Sequence, residues 1–155
     1  MWLTRRDCAG LVLASLVLAG LAGPARGQTP AAGLLGLSGF DPVSYFLPEG
    51  PQPGLAAFEA SGAGRSWRFA SAANRTVFLR DPTVYTPRLG GYDLVGILDG
   101  RLVDADPLVF ALVDKRLYLF RNAEHRDRVV ADPGLAAKAE ASWPTLKGLT
   151  DGARE

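Results

Sequence analysis

Few side chains in this chain can do chemistry. Its 155 residues include one histidine, His125, one cysteine, Cys8, and one methionine, Met1. Acid–base work at neutral pH therefore falls to His125, because imidazole alone among unperturbed side chains changes charge there. That work also needs a partner group held beside the ring. The carboxylates singled out by spacing are Asp41 and Asp93. Gly39-Phe40-Asp41-Pro42-Val43 recurs 52 residues later as Gly91-Tyr92-Asp93-Leu94-Val95. Asn74-Arg75 and His125-Arg126 form a second matched pair, 51 residues apart.

Each pair has two readings. Asp41 and Asp93 either face each other and grip a ligand, or each accepts backbone N–H bonds in the turn before the next element. A residue used identically in two copies is better explained by a shared requirement of the fold. Arg75 and Arg126 either form an anion site at the centre or fork onto the aspartate of the opposite half. The fork is expected, because arginine–carboxylate pairs are geometrically specific. His125 falls near a helix start, where the positive end of the dipole favours the neutral ring. It is either an acid/base group or a helix surface residue. No Gly-x-Ser-x-Gly nucleophile turn is present, and no residue is assigned as catalytic.

A soft-metal site within one chain is not expected on ligand inventory. Zinc sites take mainly Cys and His, and copper(I) favours sulfur. Asp99, Asp104, Asp106 and Asp114 lack the spacing of a calcium loop and read as turn residues. No cofactor is expected. Tyr45, Tyr92, Trp67 and Tyr118 read as core aromatics with polar tips at an edge. If a small-molecule cleft exists it lies at the seam between the two copies, near Tyr45, Tyr92, Asp93 and His125.

The elements that must position these residues follow the repeat. Phe58 falls on Phe110 at the same offset; after a one-residue gap Trp67-Arg68-Phe69 falls on Tyr118-Leu119-Phe120, and Asp81-Pro82 on Asp132-Pro133. Two copies are too few for a solenoid and imply one domain of two halves. Strands are expected at 43–46, 55–60 and 65–70, then a helix capped by Ser71 with Ala73, Val77 and Phe78 inward and a new turn at Asp81-Pro82. In the second half, 92–98 and 101–103 read as a hairpin through Asp99-Gly100. Segments 108–113 and 116–120 read as another, through Asp114-Lys115, and Asn122 caps a helix over 123–131. A last helix carries Leu135, Ala139 and Trp143 on one stripe and ends at Pro144. The expected fold class is α+β, with two similar strand-strand-strand-helix halves packed as one small domain. The boundaries are 39–87 and 91–133 for the halves, 133–143 for the closing helix and 39–146 for the whole. Residues 28–38 read as a flexible lead-in and 147–155 as a frayed tail.

Residues 1–27 read as a secretory signal: Arg5-Arg6, an uncharged apolar run from Ala9 to Gly23, and small residues around Arg26. Thr4-Arg5-Arg6-Asp7 resembles the twin-arginine export motif, with Cys8 where a hydrophobic residue usually stands. The 15-residue run is short of a bilayer span. Removing Arg5, Arg6, Arg26 and Asp7 from 17 basic and 16 acidic residues leaves 14 and 15, without the basic density that nucleic acid requires. The mature chain would have no thiol and hence no disulfide.

The string Gly39-Phe40-Asp41-Pro42-Val43-Ser44-Tyr45-Phe46 resembles the opening of the YHS-domain family. So does Trp67-Arg68-Phe69-Ala70-Ser71-Ala72-Ala73-Asn74-Arg75, followed by Phe78, Asp81-Pro82 and Tyr85. Gly90-Gly91-Tyr92, Leu117-Tyr118-Leu119-Phe120 and Ala141-Ser142-Trp143-Pro144 resemble its exported single-domain branch. The resemblance covers residues 36–146. It implies metal-binding cysteines at positions that are here Ser44, Ala70, Asn74 and Asp93, so the soft-metal role of some relatives does not carry over. The expectation is a non-catalytic, exported periplasmic binding or accessory protein. Its partner would be an unknown small molecule or an envelope protein, with neither nucleic acid nor membrane insertion after signal cleavage. The alternatives are a protein–protein escort module and a small His-dependent enzyme.

Overall fold

The computed structural model describes residues 34–62 and 64–152, and the segment expected to be an export signal and the first part of the expected lead-in lie outside them. The class is α+β. Strand β1 (Leu34–Leu35) pairs parallel with β3 (Arg65–Phe69), which pairs antiparallel with β2 (Leu55–Gly62). Helices α1 (Ala72–Arg80) and α2 (Pro82–Tyr85) follow. The second half runs α3 (Leu94–Leu98), β4 (Asp106–Val113), β5 (Arg116–Phe120), α4 (Ala123–Ala131) and α5 (Gly134–Gly152). Each half is thus a short helical turn, a hairpin and a capped helix.

The hairpins match in detail. In β2–β3 the register shifts between Leu55↔Phe69 and Glu59↔Arg68; in β4–β5 it shifts between Asp106↔Phe120 and Phe110↔Leu119. Both carry the same bulge, and every one of these positions is offset by 51. Phe110 therefore corresponds to Glu59, not Phe58, so the one-residue gap falls before β2 rather than after it.

Helix starts form as the side chains dictate. Ser71 Oγ accepts from Asn74 N at 3.1 Å, and Asn122 Oδ1 from His125 N at 2.9 Å. Each satisfies an N–H that has no partner within its helix. Of the three residues expected inward on α1, only Phe78 is buried; Ala73 and Val77 face solvent.

Several expectations from the sequence fail. Residues 44–46 are a 3₁₀ turn and 94–98 are a helix, where strands were expected. Leu94, Val95, Gly96 and Ile97 are all buried, and an unbroken apolar run carries no period to distinguish strand from helix. Asp99-Gly100 closes α3 instead of turning a hairpin. Arg101 N bonds Gly96 O at 2.8 Å and Gly100 N bonds Ile97 O at 3.0 Å, with Gly100 at φ +71°. This is a Schellman cap, which needs the same left-handed glycine as a hairpin turn. Pro144 lies inside α5, so the expected tail is helical through residue 152. Leu146, beyond the proline, is buried in the second core and holds the helix on. The lead-in is also part of the fold from Leu34 onward, with Leu37 buried.

Two clusters make the core. Tyr45, Trp67, Phe69 and Phe78 form one; Leu94, Ile97, Val129 and Ala139 belong to the other. β5 divides them. Leu117 and Leu119 face the first cluster, while Tyr118 and Phe120 face the second. Period-two alternation on a strand covered on both sides makes β5 the wall between the halves. Among the described residues no helix is long and apolar enough to cross a membrane.

Candidate functional site

Both repeated aspartates are fully buried and fully engaged. Asp41 accepts Val43 N and Ala70 N at 2.8 Å each, and Asn74 Nδ2 at 2.6 Å. Asp93 accepts Gly96 N at 2.8 Å, Arg121 N at 3.0 Å and His125 Nδ1 at 2.8 Å. In each half one carboxylate ties together the turn that precedes the hairpin, the residue leaving the hairpin and the helix after it. A carboxylate without solvent contact is tolerable only with such donors. The ligand-gripping reading of Asp41 and Asp93 has no free oxygen face to work with.

His125 takes the position of Asn74. Its Nδ1 faces Asp93 Oδ2, and Nε2 makes no hydrogen bond among the described residues. The side chain is 23% exposed. The ring is therefore oriented as a base would be, but neither of the clefts described below includes it. Tyr45 is buried, donates its hydroxyl to Pro107 O at 2.9 Å, and packs edge-on against Phe110. Burial, then the Asp106 and Asp41 charges, pushes its ionisation well above the usual tyrosine range. Tyr92 is half-buried, with its ring 6.1 Å from that of Trp143. Of the four residues expected at a seam site, the structure brings Asp93 and His125 together. Tyr92 alone lines a cleft.

Nor do the repeated arginines fork onto the opposite half. Arg126 pairs with its neighbour Asp127 at 2.8 Å, and Arg75 makes no side-chain hydrogen bond or ion pair among the described residues. The fork exists elsewhere. Arg88, in the linker between halves, donates through Nε and Nη2 to the two oxygens of Glu140 on α5, both at 2.7 Å. Tyr118 Oη donates to the same carboxylate at 2.9 Å. Arg88 and then Tyr118 hold the Glu140 carboxyl below its ordinary range against the opposing effect of burial. The Tyr118 hydroxyl is pushed up, first by burial and then by Glu140. Residues 88 and 140 lie 52 apart with no shared motif, so no local signal could have found this pair.

Two clefts flank the linker. One, of about 340 Å³, has Tyr92, Gly91, Asp104 and Ser38 in its wall. The other, of about 410 Å³, is walled by Trp143, Pro82, Pro87 and Arg88. Arg65 and Gly90 border both, and Arg65 Nη2 donates to Gly90 O at 3.2 Å across the seam. Left-handed turns shape this region. Leu37 and Ser38 have φ +52° and +51°, while Leu89, Gly90 and Gly91 have +54°, +63° and +82°. Non-glycine residues at positive φ are strained, and here they occur at the same place in both copies. Gly90 is needed twice over, because a Cβ there would also sit 3.0 Å from the Trp143 ring.

Among the described residues no group of three His, Cys, Asp or Glu is placed to hold a metal. Comparison with family models, with curated proteins and with solved structures finds no match to this chain.

Proposed function

We propose that this chain is an exported YHS-type domain that works as a non-catalytic binding module, with its ligand at the seam between the halves. The observation that carries this is the equivalence of the two aspartate networks. The chain's one histidine does for Asp93 what an asparagine does for Asp41, so it is accounted for by the fold. The clefts supply what a binding module needs: concavities within the usual size range for small ligands, between elements of both halves. The contact residues then change from the sequence expectation. Tyr92 stays, Arg65 and Trp143 join it, and Tyr45, Asp93 and His125 leave the set.

The oriented Asp93–His125 pair is what favours the enzyme alternative, and neither cleft reaches its Nε2. The test is native mass spectrometry of the protein isolated from cell envelopes without ligand-stripping steps. A stoichiometric small-molecule adduct, lost on Tyr92→Ala, is expected. A bare monomer mass points instead to a protein partner.

A further inference from the structure

We infer that the cleft between the linker, α2 and α5 takes a small apolar carboxylate, with its carbon body against Trp143 and its charge on Arg65. This deepens the seam-binding reading and rests on it. The cleft's carbon walls are Trp143, Pro82 and Pro87, and its volume is about 410 Å³. That suits a molecule of one or two rings. The half-buried indole of Trp143 packs against the Tyr92 ring, and Gly90 leaves the room that the indole fills. It is a prepositioned aromatic surface.

The sign of the ligand follows from which charges are already matched. Arg88, Glu140 and Lys147 also border the cleft; the two-bond fork of Arg88 and Glu140 neutralises those two against each other, with Tyr118 as third donor. Arg65 is different. Its side chain makes one hydrogen bond among the described residues, and that is to a carbonyl, so its charge has no counter-ion there. Four of the five guanidinium N–H donors remain. A planar fork of this kind matches a carboxylate. Arg65 is also anchored from behind by Gly90, so little ordering is required when the ligand arrives.

The probe is 2-naphthoate, with uncharged 2-naphthamide as the isosteric control, titrated into the purified protein and followed by the indole N–H resonances. Naphthoate should shift the Trp143 signal in a saturable way; Trp67 also lines the cleft, although its indole N–H is bonded to Gly62 O, so the Trp143 signal is the one that reports binding. Arg65→Gln should weaken naphthoate at least about fivefold, and Arg65→Lys should weaken it less, since charge survives and the fork does not. An unchanged melting temperature and far-UV dichroism in both variants report that the fold is intact. Equal affinity for naphthamide, or no loss in Arg65→Gln, overturns the inference. A natural adduct in the mass spectrum with no naphthoate response at Trp143 overturns it too, while leaving the seam-binding reading standing. Absence of both overturns the two together.

Discussion

Replacing His125 by asparagine separates architecture from chemistry. Both Asn74 and His125 sit three residues after a helix cap, and both backbone N–H groups bond that cap. The Nδ1 of histidine and the Nδ2 of asparagine lie the same number of bonds from Cβ. Asparagine at 125 can therefore place a donor where Nδ1 now stands, 2.8 Å from Asp93 Oδ2, as Asn74 already does for Asp41. The cost of His125→Asn should be within ~1 kcal/mol, the scale of exchanging one hydrogen bond for another. His125→Ala leaves a fully buried carboxylate one donor short, which costs ~1.5–3 kcal/mol for a bond to a charged group. At roughly 4 °C per kcal/mol for a domain of this size, Tm should fall about 6–12 °C. Asp93→Ala strands the N–H groups of Gly96 and Arg121 as well and removes the cap of α3, so it should cost more than either, a large part of a typical domain's stability. Thermal and urea unfolding measure all three. If His125→Asn is as damaging as His125→Ala, the equivalence of the two networks is wrong and the imidazole has a role of its own.

Other consequences are as direct. Glu140 is held below its ordinary range, so its contribution is complete above the unfolded value near 4.5 and is lost as pH falls through the depressed folded value. Glu140→Gln should flatten the acid limb of stability against pH. At pH 7 it should cost only ~1–2 kcal/mol, because the partly exposed Arg88 is screened by solvent. Tyr45 shifts the opposite way: its stabilisation is present below the unfolded value near 10 and is lost as pH rises through the raised folded value, so Tyr45→Phe should be less sensitive to alkali. Gly90→Ala forces alanine to φ +63° and presses on Trp143. A loss of ~1–2 kcal/mol is expected, together with altered Trp143 near-UV dichroism. EDTA should leave Tm unchanged, and a large drop would show that the folded chain holds a metal ion.

What was legible in the sequence was what local chemistry alone decides. Ser71 and Asn122 cap helices because each offers an oxygen to an N–H three residues on. Asp114-Lys115 turns a hairpin with φ +50° and +60°, both central residues left-handed as a tight hairpin requires. What was not legible depends on packing. Leu94 to Leu98 takes its helix from the Asp93 cap, and Asp93 is held in turn by Arg121 and His125, from beyond the second hairpin. Pro144 stops no helix because Leu146 is buried beyond it. The Arg88–Glu140 fork brings a linker to a closing helix, and spacing within either segment says nothing of the other.

The repeat also indicates where function can reside. A feature present in both copies answers to a requirement that both halves share: the buried aspartate, the bulge, the left-handed turn, the capped helix. Function peculiar to this chain is better sought where the copies part. They part most after the Asp-Pro that ends each half. Following Asp81-Pro82 the chain makes one helical turn, whereas following Asp132-Pro133 it runs on as α5. α5 brings Glu140, Trp143 and Leu146 back over the seam, and the first half has no counterpart to them. The larger cleft lies between these two unequal continuations, with α2 on one side and α5 on the other. Its polar anchor, Arg65, comes from β3, whose equivalent Arg116 on β5 borders a different hollow beneath α5. The same duplicated frame thus leaves one side closed by a long helix and supplied with an unmatched cation. That asymmetry, rather than the aspartate–histidine pair that first draws the eye in the sequence, is what the proposed ligand would use.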